Sequence, residues 1–126
     1  MRGFAACAVS LLAACGAPDR VNRAALERDI TALMAPHGGR AVSCQVESTT
    51  RAAWCVLELP DPGRAAGALE LRRGAALSGG CGAQEGFAAP AWIRGRLPLA
   101  RGGAFEYLRL YAAPGRACIE VAYAYG

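Results

Sequence analysis

The sequence predicts a small two-layer α+β domain, in which an antiparallel sheet of about four strands, built from two hairpins, is covered on one face by two helices. Three observations predict it. Apolar residues recur at helical spacing within residues 18–36, two alternating runs flank a polar turn between Gly39 and Leu59, and a second alternating pair flanks Pro114-Gly115. The elements are expected in the order helix, hairpin, helix, hairpin.

In the first helix, Leu26, Ile30, Leu33 and Met34 share a face, and Arg, Asp and Glu fill much of the remaining surface. Asp19 can cap it or enter its first turn, and Pro36, Gly38 and Gly39 end it. His37 falls at that end, where a cationic ring would interact favourably with the helix dipole; a capping or surface role accounts for it better than catalysis or metal binding.

The first hairpin turns at Ser48-Thr49-Thr50-Arg51. Pairing Glu47 with Ala52 sets Val42 opposite Leu57, Cys44 opposite Cys55 and Val46 opposite Ala53, which gathers apolar side chains on one face and brings the two cysteines to a bridgeable distance. A second helix is expected from Asp61 as N-cap and Pro62 as first residue to about Leu77. Gly63, Gly67 and Gly74 weaken it, and Leu69-Glu70-Leu71-Arg72 reads equally as a strand. From Ser78 to Gly103 no period is sustained, so a long loop is expected, with room for a short strand near Trp92-Ile93. In the last hairpin, pairing Ala113 with Arg116 places Leu110 against Ile119 and Leu108 against Val121; the opposite face then carries Tyr107, Arg109, Tyr111, Cys118 and Glu120, with Arg109 directly across from Glu120.

With 126 residues, the chain has room for one compact domain and an N-terminal segment. A content of 54% hydrophobic and 19% charged residues suits a globular domain rather than a disordered chain. The formal net charge is +4, but all 14 basic residues are arginines in a chain rich in Ala and Gly, so part of that charge reflects compositional bias.

The N-terminus follows the order of a secretory signal: Arg2, an apolar stretch from Gly3 to Leu12, then small residues. The stretch is about half the roughly 20 residues that a membrane span needs. Its end, Leu12-Ala13-Ala14-Cys15, resembles the lipobox of bacterial lipoproteins. The resemblance covers the first 15 residues and implies a signal peptide at 1–14, a short lipidated tether at 15–17 with lipid on the Cys15 thiol, and a single domain over 18–126. It also implies export and a lipid anchor in the bacterial cell membrane or outer membrane.

Cys7 would leave with the signal, and Cys44, Cys55, Cys81 and Cys118 would remain. Four exported cysteines allow three pairings. The hairpin register selects Cys44 with Cys55, leaving Cys81 with Cys118. No C-x-x-C or paired Cys/His spacing is present, so no metal or cofactor is expected.

Catalytic machinery is sparse: one histidine, no lysine, and no nucleophile-elbow, zinc-protease, phosphate-loop or dinucleotide pattern. A non-catalytic binding or assembly module is therefore expected, its partner an envelope protein or an anionic polymer, and nucleic-acid binding is not. Two surfaces are candidates. One is Trp92, Arg94 and Arg96, with Arg101, in the long loop. The other is the sheet face of Tyr107, Arg109 and Tyr111, with Tyr123 and Trp54, provided helices leave it uncovered. A small envelope hydrolase or carbohydrate-active enzyme using carboxylates is the rival reading, and a purely structural envelope lipoprotein is the third.

Overall fold

A computed structural model describes residues 22–46, 52–77, 79–87 and 91–124. Helix α1 (Arg23–Met34) leads into strands β1 (Arg40–Val46) and β2 (Ala52–Glu58). Helix α2 (Pro62–Ala68), β3 (Arg72–Gly74), a 3₁₀ turn (Gly80–Ala83), β4 (Ala91–Pro98), β5 (Ala104–Ala113) and β6 (Arg116–Ala124) follow. All six strands join one antiparallel sheet in the order β1-β2-β6-β5-β4-β3.

The α+β class is as expected, but four strands in two consecutive hairpins is not the architecture. The last hairpin inserts beside β2, and β3 and β4 extend the sheet beyond it. The expected second helix stops at Ala68 because its C-terminus closes locally. The Glu70 N–H donates to the Gly67 carbonyl and the Leu71 N–H to the Ala66 carbonyl, with Glu70 in the left-handed region at φ 61°. The chain then leaves as β3, whose Gly74 lies against the Ile93 side chain where a Cβ would collide. The expected loop over 78–103 contains the eight-residue strand β4. Gly95 and Pro98 disguise β4, yet the ten-residue β5 has backbone donors and acceptors on its outer side that need a partner.

Both hairpin registers agree with the sequence at their centres. Cys44 pairs with Cys55 and Val46 with Ala53; Leu110 pairs with Ile119, Leu108 with Val121 and Arg109 with Glu120. The first hairpin departs at Val42. A bulge there sets Ala41, not Val42, opposite Leu57 and leaves Val42 55% exposed.

Both helices lie on the same face of the sheet. Leu26, Ile30 and Met34 of α1 and Ala65 and Ala66 of α2 close over Cys55, Leu57, Leu108, Leu110, Ile119 and Val121. Each large side chain buried in this way contributes about 1.5–3 kcal/mol. Asn22 and Asp61 cap the helices, their side chains accepting from the N–H groups of Ala25 and Arg64. The Cys44–Cys55 disulfide joins β1 to β2 on this helix-covered face. The Cys81–Cys118 disulfide belongs to a second, smaller cluster on the other face.

Candidate functional site

The face away from the helices is crossed by residues 79–87. Cys81 bonds this segment to Cys118 on β6, and Phe87 is buried beside Ala91 and Tyr111, with the Arg116 guanidinium 4.9 Å from the centre of its ring. Just before the segment, the Leu77 N–H donates to the Tyr111 hydroxyl at 2.9 Å. That hydroxyl and the Cys81 N–H both lie by the Glu120 carboxylate, where their dipoles favour its charged form. Disulfide and hydrogen bonds together strap the segment to the sheet.

Glu120 is the one buried charged residue among those described, at 7% exposure. Burial pushes its carboxyl above the ordinary value, and the Tyr111 hydrogen bond, the Arg109 charge and the Cys81 N–H oppose that push. Tyr111 is raised as well, chiefly by burial, against the hydrogen bond from Leu77. Gly80, at φ 54°, passes directly over Glu120 and Trp54: a Cβ there would lie 3.4 Å from each.

Successive cross-strand pairs place Trp54, Glu120, Arg109 and Ile93 in one row across β2, β6, β5 and β4. Arg109 does not close an ion pair with Glu120. Its guanidinium lies over the Tyr107 ring, 4.7 Å from the centre. Arg109 Nε and Glu120 Oε1 are both enclosed without a hydrogen-bonding partner among the described residues. Trp54, Tyr107 and Arg109 are half-buried and form a ledge beside the strapped segment.

No family model matches the chain. No curated protein and no solved structure matches it either, so the reading of this ledge rests on its own chemistry.

The two surfaces expected from the sequence are separate. Tyr107 and Arg109 sit on the helix-free face, whereas Tyr111 on the same face is fully enclosed beneath the strap. Tyr123 belongs to the helix side: its ring meets Phe105 edge-on at 5.0 Å, and its hydroxyl donates to Asp29 Oδ2 at 2.8 Å. Trp92, Arg94 and Arg96 lie on β4 rather than in a loop. Trp92 packs against the helix-side core under the Arg73 guanidinium, 4.7 Å from its ring centre, and Arg94 Nη1 donates to the Leu69 carbonyl at 2.9 Å. Arg96 is exposed, at φ 21°.

His37 borders a shallow depression of about 320 Å³ with Pro36, Pro60, Asp61, Arg64 and Ala65. Asp61 Oδ1 there accepts the Arg64 N–H at 3.1 Å as the cap of α2. Among the described residues no three His, Cys, Asp or Glu side chains gather as a metal site, and no helix is long and apolar enough to cross a membrane. Cys7, Cys15 and Ser78 lie outside the described residues. The enclosure of Glu120 escaped the sequence reading, although a signal existed: it is a lone charge within the otherwise uncharged run from Ala117 to Ala122.

Proposed function

We propose that the protein is a bacterial lipoprotein, held at the cell membrane or outer membrane by lipid on Cys15, whose domain is a non-catalytic binding or assembly module. The observation that carries the binding reading is the one-sided placement of the helices. It leaves Trp54, Tyr107 and Arg109 half-exposed on a sheet face stiffened by the Cys81–Cys118 bond. Aromatic and arginine side chains of this kind give large contact area with hydrogen-bonding ends, and rigid presentation lowers the entropy lost on binding. The two disulfides favour an oxidising compartment, which agrees with the lipobox at Leu12-Ala13-Ala14-Cys15.

The experiment has two parts. Intact mass of the protein purified from membranes of its own organism, beside a Cys15→Ser variant, tests the anchor: a chain beginning at Cys15 with added lipid supports it, and a lipid-free chain cut elsewhere refutes it. A photo-crosslinking residue at Tyr107, compared with one at Ala32 on the outer surface of α1, tests the ledge. Adducts from position 107 alone support the module; equal yields, or none, refute it.

A further inference from the structure

The outer edge of the sheet concentrates positive charge. Arg72 and Arg73 on β3, Arg94 and Arg96 on β4 and Arg101 in the turn to β5 occupy one margin, where the nearby carboxylates are Glu70 and Glu106. Arg72, Arg73, Arg96 and Arg101 are exposed. Because β3 pairs only with residues 91–93, β4 from Arg94 to Pro98 has no strand on its outer side among the described residues.

We infer that this edge docks on an anionic bilayer surface, an inference that rests on the lipid-anchor reading. Charge complementarity selects the partner class, since guanidinium groups pair with phosphate oxygens and Trp92, half-buried beneath Arg73, adds an amphipathic ring of the kind favoured at bilayer interfaces. The position of α1 makes the contact reachable. Met34, near its end, lies against Gly39, and Asp29 meets Tyr123 near the end of β6, so α1 runs antiparallel to β1. Its N-terminus therefore points to the end of the sheet that also carries the β4–β5 turn and Arg101. The eight residues from Cys15 to Asn22 span at most about 25 Å. The three strand spacings from β2 to β4 amount to about 15 Å. A lipid on Cys15 thus holds the edge within reach of the headgroups, at an effective concentration where individually weak contacts count. The helix-free ledge is left facing sideways for a partner.

The test uses the mature protein, reconstituted through its own lipid into vesicles of phosphatidylcholine alone or mixed with phosphatidylglycerol. Hydrogen exchange is read at the amides of residues 94–97, whose outer edge is bare. Docking predicts several-fold slower exchange in the anionic vesicles, abolished by high salt and by combined Arg72→Gln, Arg96→Gln and Arg101→Gln. These three are chosen because Arg73 and Arg94 also hold Trp92 and Leu69; an unchanged melting temperature verifies the fold. A lipidated protein whose exchange ignores lipid composition overturns docking and leaves the anchor standing. Slowing in native membranes but in neither vesicle assigns the edge to an acidic protein and likewise overturns it. If Cys15 carries no lipid, the anchor reading has failed and docking is judged by co-sedimentation of the lipid-free chain. Binding to anionic vesicles that weakens on the order of a hundredfold in the triple variant sustains it, and no binding overturns it.

Discussion

Arg109 and Glu120 face each other across β5 and β6, yet the guanidinium turns onto the Tyr107 ring while the carboxylate is met by Tyr111 and the Cys81 N–H. The acidic side chain therefore holds down the strap rather than neutralising its cross-strand neighbour. The arginine keeps one flank of the ledge in place.

The first prediction concerns pH. Burial places the native carboxyl of Glu120 above its ordinary value of 4.5, so the folded state binds the proton more tightly than the unfolded one. Its contribution is fully present below about pH 4.5 and is lost as pH rises through the raised native value. Glu120→Gln removes that dependence. Urea unfolding of both proteins across this interval should give a difference that grows with pH in favour of the variant; a flat difference would refute the assignment.

Removing the Tyr111 hydroxyl should cost more than its size suggests. Tyr111→Phe leaves the Leu77 N–H without its acceptor and takes one of two polar neighbours from Glu120 beneath the strap, a loss of about 1–3 kcal/mol. Denaturant unfolding measures it. Hydrogen exchange at Leu77 should accelerate in parallel, and unchanged exchange there would count against the strap.

The two disulfides should differ in worth. Cys81–Cys118 closes a separation of 37 residues and Cys44–Cys55 one of 11, which by chain entropy corresponds to about 4 and about 3 kcal/mol. Paired Cys→Ser variants should therefore rank in that order by thermal unfolding. The Cys81/Cys118 variant alone should also alter the near-ultraviolet signal of Trp54, which lies under Gly80.

Glu70 occupies the left-handed position that closes α2, where glycine is the usual residue. Glu70→Gly should stabilise the fold by about 1 kcal/mol, less whatever the added freedom of the unfolded chain takes back. A lower denaturation midpoint in the variant would show that the Glu70 side chain contributes something its backbone position does not explain.

The parts of the fold legible in the sequence were those with local signals. Hairpin registers follow from alternation around a turn, and the Cys44–Cys55 pair falls out of the register because cross-strand distance leaves it little choice. The illegible parts depend on distant partners. β4 holds Gly95 and Pro98 and becomes a strand because β5 needs one, and α2 ends at Ala68 through a hydrogen-bonded closure that accepts a glutamate where glycine would announce it. The candidate site was legible as a face but not as a depth. Alternation put Tyr107, Arg109, Tyr111 and Glu120 together, and nothing local distinguished the residues the strap would bury from those it would leave half-open.

The bulge at Val42 bears on how such a domain behaves among its own kind. β1 is the other margin of the sheet, and a regular, flat margin is a template on which an identical chain can add its own strand. By kinking β1 and turning Val42 outward, the bulge breaks the spacing of hydrogen-bonding groups that such stacking requires. An irregular margin lets copies of this domain collide there without growing into fibres.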